Sequence, residues 1–150
     1  MRDPVTDHPV GIQRTALEVV NSLVEKIDRK MLGHCGVVKI WRQGVQLVVG
    51  EGLETVLAAA TRIPFEGKPL APAWACLSSK KLAHLPVIEG VERLMLLVDN
   101  DENREGQLAA SCCAERWRGA GREVVPLIPK RVGADFDDVV IEEDNANAAA

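Results

Sequence analysis

Apolar and polar positions follow two rhythms along this chain, and the change between them divides it. From Gly11 to Leu32 the residues Ala16, Val20, Leu23, Val24, Ile27 and Met31 recur at helical spacing, which predicts an amphipathic helix. The same region also reads as a strand over Val10–Val19 followed by a turn at Asn21–Ser22. Gly33 and Gly36 end either element. Val37–Trp41 and Val45–Val49 are β-rich runs separated by Arg42-Gln43-Gly44, the spacing of a hairpin. Leu53–Arg62 reads as an alanine-rich helix, and Trp74–Leu77 as a short buried strand. Ser78 or Ser79 caps a brief helix through Leu85. Leu94–Val98 is a continuous apolar run of the kind found in the middle of a parallel sheet. Gly106–Gly119 is helical and stops at Gly119-Ala120-Gly121. Val124–Ile128 is a strand ended by Pro129, and Asp135–Ile141 a final short helix. Met1–Pro9 is expected to lie loosely on the surface, and Asn145–Ala150 to be a disordered tail.

Strands alternating with helices predict an α/β fold, with a mostly parallel central sheet and helices on both faces. Ligands of such sheets sit beyond the carboxyl ends of the strands. Glu51 and the pair Asp99/Asp101 follow apolar strands at those ends.

With 150 residues, 47% hydrophobic and 27% charged, the chain is sized for one core. Eighteen basic residues against 22 acidic ones leave a formal charge of −4. That excludes a broad basic binding surface, so a polyanion would have to be met by a local patch or through bound metal. No apolar run reaches the about 18 residues of a membrane span, and the polar N-terminus is no signal peptide, which implies a cytoplasmic protein without a membrane partner. Cys35, Cys76, Cys112 and Cys113 form no C-x-x-C pair and read as free thiols rather than a zinc site. His8, His34 and His84 are too scattered for a metal triad.

The acids fall into three clusters: Glu51 with Glu54, Asp99 with Asp101, and Asp135 with Asp137 and Asp138. Carboxylates gathered at one sheet edge repel and call for a counter-charge. Magnesium, a hard cation held by one or two carboxylates plus substrate phosphate, is the simplest candidate. Glu51 stands between Gly50 and Gly52, whose bare backbone would let a phosphate or metal approach. Asp99-Asn100-Asp101 is also ordinary turn chemistry, and Asp135 is a plausible helix cap. Occurring on successive strand ends, the clusters argue for a shared site. Phosphatases of the haloacid-dehalogenase type and response-regulator receivers also place acids at strand ends, but neither pattern accounts for Gly50-Glu51-Gly52.

Val48-Val49-Gly50-Glu51-Gly52-Leu53-Glu54-Thr55, then Leu97-Val98-Asp99-Asn100-Asp101, then Gly133-Ala134-Asp135-Phe136-Asp137-Asp138 resemble a Toprim domain. The likeness is to the primase-type Toprim of phage, plasmid and mobile-element primase-helicase proteins, with Asp137-Asp138 where Asn-Asp is usual. The resemblance implies a Rossmann-like Toprim fold preceded by a small β-rich segment, with Gly11-Ile12-Gln13-Arg14-Thr15 in strands rather than a helix. It divides the chain into an N-terminal extension at 1–36 packing on the core, a Toprim domain at 37–143 and a tail at 144–150. It further implies Glu51 as general acid/base, and Asp99, Asp101 and Asp135 as ligands of magnesium or manganese, with two ions. The implied activity is primase-like nucleotidyl transfer in DNA replication. Toprim-type nuclease chemistry and a non-catalytic interaction module of a replication or mobile-element complex are the alternatives. The implied partners are a DNA or RNA template and nucleotides, with a helicase or zinc-binding domain, fused or separate. Among the basic residues, Lys80, Lys81 and Arg104 are the candidate nucleic-acid contacts. Trp74 is expected in the core, with Trp41 and Trp117 partly exposed.

Overall fold

The computed structural model describes residues 1–21, 23–100, 104–134, 136 and 138–140. Strands β1 (Gly11–Val20) and β2 (Leu23–Gly33) form an antiparallel ribbon of their own. A five-stranded sheet follows, built from β3 (Val38–Lys39), β4 (Gln46–Gly50), β7 (Ala73–Ala75), β8 (Arg93–Leu97) and β9 (Glu123–Leu127) in the order β3-β7-β4-β8-β9. Strands β7, β4, β8 and β9 are parallel, and β3 closes one edge antiparallel to β7. A minor hairpin pairs β5 (Pro64–Phe65) with β6 (Lys68–Pro69).

Side-chain alternation along the central strands builds two cores. Leu47 and Val49 of β4, Leu94 and Leu96 of β8, and Trp74 of β7 face one side. There they meet Leu82 of α2 (Ser79–Ala83), Leu85, and Ala110, Cys113 and Trp117 of α3 (Glu105–Gly119). Val48, Met95, Leu97, Ala73 and Ala75 face the other side and meet Val56, Ala59 and Ala60 of α1 (Leu53–Arg62). The sheet is therefore covered on both faces, which explains why its strands read as unbroken apolar runs. Ser78 caps α2 by accepting the Lys81 backbone N–H, as expected, although α2 ends at Ala83 rather than Leu85. Of the predicted last helix, Phe136 and 138–140 are helical, while Asp135, Asp137 and Ile141 lie outside the described residues, as does the 144–150 tail.

Four expectations are corrected. The helix over Ala16–Met31 is replaced by β1 and β2, which turn at Asn21 with φ 50°; Ser22 lies outside the described residues. Val37–Trp41 and Val45–Val49 do not form a hairpin, because β7 inserts between β3 and β4. A two-residue β3 is thus an edge strand laid against a later one. Met1–Pro9 is not loose: Arg2 exchanges backbone hydrogen bonds with Val37 at 2.8 Å, and the N-terminal ammonium donates to the Gly11 carbonyl. Trp117 is fully buried, its indole N–H directed at the Leu85 carbonyl, whereas Trp41 is partly exposed as expected.

Candidate active site

The connection leaving β4 runs to α1 on one face of the sheet, and the connection leaving β8 runs to α3 on the other. Adjacent parallel strands whose exits diverge leave a crevice at their carboxyl ends, the usual ligand position of a doubly wound sheet. The register pairs Val49 with Leu96, so Glu51 and Asp99 leave neighbouring strands at nearly the same level. Both line one cleft of about 510 Å³, together with Gly52, Glu54, Thr55 and Leu77.

Local structure explains how each arrives there. Gly50 is buried, and a Cβ on it would lie 2.8 Å from Val56 Cγ2 and 3.2 Å from Leu97 Cβ. The missing side chain at Gly50 thus serves the packing of α1 against β8 rather than ligand approach. Gly52 is the N-cap of α1 and supplies no side-chain cap, so the positive end of the helix opens toward the cleft. Leu77, in the left-handed region at φ 68°, donates its N–H to the Glu51 carbonyl at 2.8 Å and fixes the loop after β4.

Asn100 ties the second acidic cluster to the third. Its side-chain amide donates to the carbonyls of Pro129 at 3.0 Å and Arg131 at 3.2 Å. Its backbone donates to Ala134 and accepts from Gly133. The residue before Asp135 is thereby held against the residue after Asp99. Asp101 and Asp135 themselves lie outside the described residues.

The acids of the cleft differ in their surroundings. Glu54 is engaged by the ribbon, with Lys26 Nζ at 3.3 Å and Arg29 Nη2 at 3.4 Å. Burial pushes its carboxyl up, but its own backbone N–H and the Lys26 and Arg29 charges outweigh that and hold it below the ordinary glutamate value. Oδ1 of Asp99 is shut off from solvent. Among the described residues no three His, Cys, Asp or Glu side chains stand close enough to hold a metal ion. Glu51 and Asp99 are hard oxygen donors of the kind magnesium takes.

None of the candidate nucleic-acid contacts is among the residues lining this cleft. Lys80 lines a shallow recess between α2 and α3 with Ser79 and Glu105, and Lys81 lies on the same short helix. Arg104 precedes α3, exposed, with φ 59°. The cations that do line the cleft, Lys26 and Arg29, belong to the segment read as a helix and carried no motif of their own. Their i, i+3 spacing fitted a helix face as well as it fits the ribbon.

A family model described as Toprim domain matches residues 46–146, from the start of β4 to beyond the last described residue. No curated protein and no solved structure matches the chain.

Proposed function

The chain belongs to the Toprim domain family, and from that premise we propose that it is a magnesium-dependent catalytic module for nucleic-acid phosphodiesters, working by primase-like nucleotidyl transfer. Toprim domains are metal-binding modules of primases, topoisomerases and nucleases. The observation that supports catalysis here is the meeting of Glu51 and Asp99 in one cleft at the divergent ends of β4 and β8.

In this reading Asp99, with Asp101 and Asp135, holds magnesium or manganese, two ions in all. Ions held by these carboxylates would supply charge neutralisation at the phosphate, which is what phosphoryl transfer chiefly requires. Glu51 takes the proton of the attacking hydroxyl on its carboxylate as that oxygen bonds to the α-phosphorus of the nucleotide and the bond to the β-phosphate breaks, releasing pyrophosphate; a phosphate would lie within reach of it at the N-terminus of α1. Asn100 acts as a positioning residue, keeping the Asp99 and Asp135 loops together. Template and nucleotides are the partners, with Lys80, Lys81 and Arg104 as outlying contacts, and a helicase or zinc-binding domain completes the machinery in the cytoplasm.

Primer synthesis and strand cleavage assayed on one single-stranded template with magnesium test the proposal. Synthesis that falls by about 10²–10⁴-fold in Glu51→Gln and vanishes in Asp99→Ala is the expected result. Cleavage without synthesis would replace transfer by nuclease chemistry. Activity untouched by both substitutions would overturn the site.

A further inference from the structure

The β1–β2 ribbon precedes the family-matched residues, yet it forms one wall of the cleft. Directly opposed residues of an antiparallel pair share a face, and successive pairs alternate. One face therefore carries Gln13 with Met31, Thr15 with Arg29, Leu17 with Lys26, and Val19 with Val24. The other carries Ile12 with Leu32, Arg14 with Lys30, Ala16 with Asp28, Glu18 with Glu25, and Val20 with Leu23. Leu17, Val24, Lys26 and Arg29, all of the first face, line the cleft.

Charge is segregated between these faces. The cleft-facing side has Lys26 and Arg29 and no acid; Glu18, Glu25 and Asp28 all lie on the reverse. Regular alternation would set residues 26 and 29 on opposite sides. A β-bulge, with the register shifting between Ala16 and Leu17 and leaving Ile27 unpaired, brings both cations to the cleft. Beside them Leu17, Val19 and Val24 are 62%, 70% and 66% exposed, an apolar strip at the free end of the ribbon. In a chain of charge −4, an acid-free face with two cations and an apolar strip is complementary to a strand that offers phosphates and open bases. A duplex buries its base faces and would meet only the cations.

We infer that the cleft-facing side of the ribbon grips a single strand of nucleic acid, with Lys26 and Arg29 on its phosphates and Leu17, Val19 and Val24 against its bases; this rests on the proposed reading of the cleft. Glu54 then holds the two cations in place until the strand takes them over.

Fluorescence anisotropy of a labelled oligothymidylate, measured on the full chain with magnesium at several salt concentrations, tests it. The double variant Lys26→Gln/Arg29→Gln should bind more weakly, with the slope of log affinity against log salt reduced by about 1.4, or about 0.7 for each lost phosphate contact. Leu17→Ser/Val24→Ser should weaken binding at unchanged slope. Glu54→Gln should tighten it by about two- to fivefold, because a competing carboxylate is gone; a merely structural latch would not improve binding when cut. Unchanged affinity and slope in the Lys26/Arg29 variant would overturn the inference. So would Leu17/Val24 variants that alter only self-association in sedimentation. A magnesium titration followed by NMR at Asp99 separates the two claims. A response at Asp99 alongside undiminished binding by the double variant defeats the ribbon and leaves the cleft; binding lost without any Asp99 response supports the ribbon and defeats the metal site.

Discussion

An alanine at position 50 would press its Cβ to within 2.8 Å of Val56 Cγ2 and 3.2 Å of Leu97 Cβ, so that something must shift. Gly50→Ala is expected to cost about 1–3 kcal/mol by overpacking, read as a lower urea midpoint at unchanged slope. An unaltered midpoint would mean that α1 does not pack on β4 and β8 as described. Asn100 works at the same scale but through hydrogen bonds. Asn100→Ala leaves the carbonyls of Pro129 and Arg131 without their shared donor, at an expected cost of about 1–3 kcal/mol, and should loosen the loop that precedes Asp135. Faster amide exchange at Gly133 and Ala134 is the measurement. The thiols offer a third check. Burial pushes Cys113 up to about 12 and Cys76 further still, so neither is a thiolate near neutrality. Iodoacetamide should label exposed Cys112 first and half-buried Cys35 more slowly in the native protein, and all four only in denaturant. Native labelling of Cys76 would contradict the sealed face on which Trp74 and Trp117 pack.

Elements differ in how plainly the sequence announced them. The runs around Val48 and Leu96 were legible because both faces of the sheet are covered, so burial itself wrote unbroken apolar stretches. The cleft was half legible for the same reason, since Glu51 and Asp99 stand at the ends of those runs. Partnership between strands was not: β7 takes its place between β3 and β4 through contacts distant in sequence, and no local pattern encodes that. The resemblance placed strands in the ribbon, as found, whereas periodicity also pointed to a helix, because the ribbon is nearly all exposed and bulged. Without a buried face, alternation is unconstrained, and the extra residue Ile27 shifts the apolar positions into a helix-like spacing. Over the cleft the ribbon is tied down by the Lys26–Glu54 and Arg29–Glu54 ion pairs, and these give it a pH dependence. The Glu54 carboxyl is held below its ordinary value in the folded chain. Its contribution is therefore complete above the ordinary glutamate range and is lost as pH falls through the lowered value. Protection factors of the β2 amides, referred to the intrinsic exchange rate at each pH, should fall over that acidic window, while those of β4 and β8 hold. Glu54→Gln should show the faster exchange already at neutral pH, and a ribbon whose exchange ignores both changes is held by something other than Lys26 and Arg29.

At the scale of the molecule, the charge of −4 is distributed rather than uniform. Glu51 and Asp99 share a cleft at the carboxyl ends of β4 and β8, and the ribbon cations that line it, Lys26 and Arg29, are engaged with Glu54. Placing carboxylates together costs stability through repulsion, and a bound divalent ion removes that cost and adds its own binding energy. Thermal unfolding should therefore depend on magnesium in a way that ionic strength alone does not reproduce. At about 100 times its dissociation constant, one ion adds about 2.7 kcal/mol, which for a chain of this size corresponds to a rise in Tm of about 5–10 °C. Asp99→Asn has lost a ligand, so its magnesium-dependent rise should shrink or disappear. A variant that was simply misfolded would lie below the parent in both conditions. A magnesium-dependent rise that persisted in full in Asp99→Asn would place the ion outside this cleft, and with it the chemistry proposed for Glu51.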